Sequence, residues 1–244
     1  MSNRDIAAGL ADKLGLDLPP VALAFRDAAP AGVATTEAIV PSACAFWRLA
    51  EKGVFYAPVA KHTNCPIGAF VMGFDLEKPV MDELMGLIGQ MTACGYVGAE
   101  EPAKIPTDKR KAKGILYGPL SAFPEAPDAV LMWLTPPQAM IWSEATGGAS
   151  WAGETPTATF GRPACAAIPS AMDGARPSLS LGCMGMRTFT KIPADRVLAV
   201  VPGARLADFA AAIAKTSDVN VAMKGFYENR LADLVKASGG RVAV

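Results

Sequence analysis

The chain has 244 residues, 51% of them hydrophobic and 19% charged, a balance that excludes intrinsic disorder and is sufficient for a large buried core. Basic and acidic residues cancel at 23 each, so no net field draws the protein to nucleic acid or to an anionic membrane. Five cysteines, an odd count in a chain showing no export signal, argue against a framework of structural disulfides.

From the N-terminus, Ile6, Leu10 and Leu14 follow a helical spacing that predicts a helix over 4–14, ended by Gly15 and unlike a signal peptide. Nowhere do about 18 uncharged apolar residues run together, so no spanning helix is predicted and the expected location is cytoplasmic. Pro19 and Pro20 lead into Val21-Ala22-Leu23-Ala24-Phe25, a short apolar run typical of a buried strand. Ser42 is a good N-cap and Gly53 a good stop for a helix over 43–52, which puts Cys44 in a first turn. A strand over 54–57 then runs into Lys61-His62-Thr63-Asn64-Cys65-Pro66-Ile67-Gly68. This stretch holds the one histidine, with Asn64 as a cap and Pro66 in a first turn, so Cys65 also stands at a helix start. A second helix is predicted over 80–91, shortly before Cys94.

Residues 100–113 are polar and contain prolines, and their basic run Lys109-Arg110-Lys111 with Lys113 reads as a solvated loop. That surface connection divides a single family-sized domain, 1–244, into two lobes, 1–105 and 114–244. Beyond it, residues 123–136 can be laid beside 189–202. Each segment has an aromatic, a proline, an aspartate, a buried strand, and a proline opening a helix, predicted over 138–144 and 204–215. Duplication of a strand-helix unit and chance matching of two Pro-Asp turns weigh about equally. The fold class expected is α/β or α+β, with two related strand-helix lobes, a weak internal duplication and one shared core. A last helix is predicted around 219–237, followed by a frayed tail from Ser238.

The chemistry rests on four cysteines. Cys44, Cys65 and Cys165, the last after Arg162-Pro163, stand at helix starts, where backbone N–H groups and the helix dipole lower a thiol pKa. Cys183 stands in Gly182-Cys183-Met184-Gly185, where two glycines permit a tight turn and close approach to a bound group. Four thiolates suit an iron-sulfur cubane or a structural zinc. They form no C-x-x-C pair, so only the fold can bring them together. The competing reading is plain burial, since free cysteine is among the most buried residue types, and Cys94 fits it best. His62 can ligate iron, zinc or haem, or equally hydrogen-bond a loop carbonyl. Arg187 can pair with an anionic cluster, a carboxylate or a phosphate, or form a surface ion pair. No G-x-S-x-G, P-loop, H-E-x-x-H or dinucleotide fingerprint is present.

Pro19-Pro20-Val21-Ala22, Cys44 with Ala50 and Gly53, Asn64-Cys65-Pro66-Ile67-Gly68-Ala69, Pro127-Asp128-Ala129-Val130-Leu131, Gln138-Ala139-Met140, Cys165, and Leu179-Ser180-Leu181-Gly182-Cys183-Met184-Gly185-Met186-Arg187 together resemble the family catalogued as domain of unknown function 169. The resemblance spans nearly the whole chain. It implies that Cys44, Cys65, Cys165 and Cys183 fall at the family's characteristic positions, and it supplies no activity.

The expectation is therefore a cytoplasmic, soluble protein whose Cys44, Cys65, Cys165 and Cys183 ligate a metal centre, foremost a [4Fe-4S] cluster, with Asn64, His62 and Arg187 beside it. Its role would be redox, sensing or cofactor-assisted chemistry, with no nucleic-acid or membrane partner. A haem, tetrapyrrole or other small-ligand binding protein, using His62 or a cysteine as axial ligand, is one alternative. A thiol-dependent enzyme is the other.

Overall fold

The computed structural model describes residues 1–147 and 158–243, so Val244, the end of the predicted tail, lies outside the described residues. Seven strands are described: β1 (Val21–Arg26), β2 (Phe55–Pro58), β3 (Gly114–Pro119), β4 (Ala129–Leu134), β5 (Ala158–Phe160), β6 (Ser178–Ser180) and β7 (Val197–Pro202). They form one sheet in the order β2-β3-β1-β4-β7-β6-β5. Neighbours run antiparallel except β5 and β6. The mixed α/β class read from the sequence is the class observed. The apolar run of β1 is buried on both faces: Val21, Leu23 and Phe25 enter one core, Ala22 and Ala24 the other.

Helices cover both faces. On one lie α1 (Asn3–Leu14), α5 (Pro136–Ala145) and α8 (Leu206–Ala237); on the other are the shorter α2 (Ala45–Ala50), α3 (Pro66–Val71), α6 (Ala167–Asp173) and α7 (Met184–Thr190). A further helix, α4 (Lys78–Ala93), leans on α3 and buries only Leu84. The two segments laid side by side above hold β4 followed by α5 and β7 followed by α8. Their strands pair from Ala129 opposite Pro202 to Leu134 opposite Val197. The rings of Trp142 in α5 and Phe209 in α8 meet at 5.7 Å.

Three local expectations need correction. First, β3 was not anticipated, yet it stands between β2 and β1 and pairs with both, joining residues before and after the 100–113 connection. Second, that connection is not wholly solvated. Asp108 is buried, and Arg110 bonds it at 2.9 Å, reaches Asp128 at 3.1 Å and lies over the Phe25 ring at 4.2 Å. Third, the two helices predicted over 204–215 and 219–237 are one. At the expected break Ser217 donates to the Lys13 carbonyl at 2.7 Å, and Asp218 pairs with the Lys13 ammonium at 2.7 Å, so these polar residues serve tertiary contacts instead of a cap. Among the described residues no helix is long and apolar enough to cross a membrane.

Candidate metal centre

The four cysteines singled out on local grounds share one cavity. Cys44, Cys65, Cys165 and Cys183 all line one cavity of about 400 Å³, and Cys94 does not. Each reaches it from a different segment. Cys44 is the N-cap of α2, and its sulfur lies 3.3 Å from the Ser42 hydroxyl. Cys65 is the N-cap of α3, with Pro66 in the first turn, and the backbone N–H groups of Ala43 and Gly68 face its sulfur. Cys165 sits in a single 3-10 turn, Ala164–Ala166, that leads into α6. Cys183 is the N-cap of α7 and accepts a hydrogen bond from the Met186 N–H at 3.4 Å. Before it, Gly182 has a φ of 90°, a left-handed conformation that glycine adopts without strain.

The thiols sense one another. Charge on Cys65, Cys44 or Cys183 raises the pKa of Cys165, and charge on Cys65 or Cys183 raises that of Cys44. Burial is the larger cause in both. It pushes Cys44 from 9.0 up to about 12, raises Cys65, and raises Cys165 well above its ordinary value. The expectation that helix starts would lower these values is corrected for the three. A helix terminus contributes about 0.3–1 kcal/mol, and α2 and α3 are only six residues long. Ionising Cys44 against its burial costs roughly 4 kcal/mol, at about 1.4 kcal/mol for each pKa unit. The buried thiols are therefore neutral near pH 7 unless a bound cation supplies the opposing charge.

Among the described residues, no three His, Cys, Asp or Glu side chains form a group that could hold a metal ion. A single tetrahedral ion would require sulfurs about 3.8 Å apart, given metal-sulfur bonds near 2.3 Å. A cluster asks for a wider ring of thiolates than a single ion does. The rest of the lining is mostly apolar, and α4 contributes Leu84, Leu87, Ile88 and Met91 to it, with Glu83 beside them. At the rim the Arg162 guanidinium lies over the Tyr96 ring at 4.8 Å and pairs with Glu101 at 3.4 Å.

The other predicted residues divide. Asn64 lines the cavity but does not cap α3; Cys65 takes that position, and the Asn64 amide donates to the Val40 carbonyl at 3.0 Å. His62 is buried and does not line the cavity. Its Nδ1 lies 3.0 Å from the Pro58 carbonyl and its Nε2 3.1 Å from the Tyr117 hydroxyl. Since a carbonyl only accepts, Nδ1 carries the proton and the Tyr117 hydroxyl donates to Nε2. Burial lowers the His62 pKa from 6.5 to about 4. Arg187 does not line the cavity; its guanidinium gathers the carbonyls of Leu181, Ala194 and Arg196, bracing the turn that presents Cys183. Cys94 is exposed at the end of α4, where its thiol donates to the Met91 carbonyl at 3.4 Å.

Sequence reasoning missed Tyr117, whose ionisation is disfavoured by burial first and by the Cys44 and Cys165 thiols next. It also missed the Arg162, Tyr96 and Glu101 cluster. The i, i+3, i+4, i+7 spacing of Leu84, Leu87, Ile88 and Met91 signalled the α4 wall as a helix face, with nothing to say that the face borders a cavity.

A family model described as "Uncharacterised ArCR" matches residues 9–212. No curated protein and no solved structure matches the chain.

Proposed function

We propose, from the premise that the chain belongs to the domain of unknown function 169 family, that Cys44, Cys65, Cys165 and Cys183 ligate a polynuclear metal centre, foremost a [4Fe-4S] cluster. Its role would be redox, sensing or cofactor-assisted chemistry. One observation carries the reading: four cysteines from four separate segments line a single cavity. Four thiols on one cavity match the ligand number that a [4Fe-4S] cluster takes. When bound, the cluster supplies electron transfer or a Lewis-acidic iron. Loading it must displace protons from thiols that burial keeps neutral, so affinity rises with pH. Asn64 and Ser42 hold the Cys65 and Cys44 turns in place.

The test is anaerobic purification and reconstitution with iron and sulfide, followed by metal analysis and absorption and EPR spectra. Wild type and Cys94→Ser are expected to load alike, and Cys65→Ser and Cys165→Ser to lose iron and colour. Wild-type protein that binds no more iron than the Cys65→Ser/Cys165→Ser double variant would overturn the proposal.

The apolar α4 wall favours a second reading, a tetrapyrrole or another small apolar ligand in the same cavity. A cysteine suits the axial position better than His62, whose two ring nitrogens are already engaged. A Soret band on haem addition that survives in Cys94→Ser and fails in Cys65→Ser separates this from the cluster.

A further inference from the structure

The C-terminal half of α8 leaves the body of the protein. Ile213 and Ser217 are the last buried residues of this helix. The farthest side-chain bond from it to the rest of the chain, among the described residues, joins Asn220 to Glu144 at 2.7 Å. Gly225 apart, every residue from 221 to 237 is exposed. At 1.5 Å per residue this arm is about 25 Å long. Most helical stability in proteins comes from packing of a helix face, and the internal Gly225 weakens this arm by about 1 kcal/mol. An arm of this kind draws its stability from something packed against it.

Its surface says what. Met223, Tyr227 and Leu231 form a row with four-residue steps on one face, and all are exposed, Tyr227 by 61% and Met223 by 43%. Rows of this spacing are the ridges that interdigitate in the commonest class of helix pair. The row is symmetric about Tyr227. Laid antiparallel on a second copy, its centre sets Met223 against Leu231, and Tyr227 beside itself. The same operation brings Lys224, which pairs with Glu228 in its own helix at 3.7 Å, beside Glu228 of the second copy. Self-complementarity under a two-fold rotation is what an isologous interface requires. A membrane surface fits less well. From 218 to 236 the acidic Asp218, Glu228 and Asp233 balance the basic Lys224, Arg230 and Lys236, leaving no excess charge to attract anionic lipid.

We infer that the arm of α8 is a homodimerisation element that pairs antiparallel with the same segment of a second copy about a two-fold axis near Tyr227. The 244-residue chain is expected to sediment at twice its 25.3 kDa mass. Met223→Glu/Leu231→Glu halves that mass while the thermal transition of the body persists. In a Cys94→Ser background, mild oxidation cross-links Tyr227→Cys into a dimer and leaves Asn229→Cys, on the opposite side of the helix, uncross-linked. A wild-type monomer across the micromolar range, a dimer that survives the double substitution, or equal cross-linking at both positions would each overturn the proposal. So would a monomer that co-sediments with anionic vesicles.

Discussion

The two faces of the sheet solve the same problem in different ways. On the α1, α5 and α8 face the helices are longer, and two begin with capping boxes, Ser2 with Asp5 and Thr135 with Gln138, which satisfy the first N–H groups locally. On the opposite face the helices are six or seven residues long, and α2, α3 and α7 have cysteine at the N-cap. Sulfur is a weak acceptor, and in α2 and α3 no side chain caps the helix start. One face is built for stability. The other gives up capping to aim thiols and helix starts at a shared space.

Four substitutions would break or sharpen that contrast. The largest effect is expected from Trp142→Ala, which empties a fully buried site on the capped face. It should cost about 4 kcal/mol in denaturant unfolding while leaving metal loading of the refolded protein intact. Next is acid sensitivity on the cysteine face. Because the folded pKa of His62 is about 4 against an ordinary 6.5, the unfolded state binds more protons between these values. Stability is therefore complete above pH 6.5 and falls as the pH drops towards 4, by roughly 3 kcal/mol. His62→Gln should flatten that part of the curve of thermal midpoint against pH. Thr135→Ala removes half of a capping box and is expected to cost about 1 kcal/mol, read as a small fall in thermal midpoint with no change in thiol reactivity. The smallest change in stability is expected from Gly68→Ala, because its Cβ would stand 3.0 Å from the Cys65 sulfur and 3.1 Å from the Ala43 Cβ, displacing both by a few tenths of an ångström. That shift should appear in iron stoichiometry and in the alkylation rate of Cys65, well before it appears in unfolding.

What the sequence disclosed follows the same division. The strands β1, β4 and β7 were legible because unbroken apolar runs between prolines have few other interpretations. The strand β3 was not, because its signal is diluted by glycines that distant partners require. A Cβ on Gly114 would strike Tyr56 at 2.4 Å, and one on Gly118 would strike Val54 at 2.7 Å. The cysteines could be chosen from their turns, caps and glycines. The direction of their pKa could not, since burial outweighs a helix start and burial is known only once the chain has folded. His62 was conspicuous for being single, but what occupies it is Tyr117, 55 residues later. The polar Ser217 and Asp218 resembled a helix boundary because their partner, Lys13, lies at the other end of the sequence.

The sheet order also has a consequence for synthesis. The first strand made, β1, lies between β3 and β4, so both of its neighbours emerge roughly 90 to 100 residues after it. At ~5–20 residues per second, the ribosome leaves Val21-Ala22-Leu23-Ala24-Phe25 without a hydrogen-bonding neighbour for several seconds or longer. Meanwhile α1 can close its own capping box and little else. The nascent chain thus carries an apolar strand that cannot be paired early. Slow non-local closure, more than any local helix, sets the pace at which the cysteine-lined cavity can come into being.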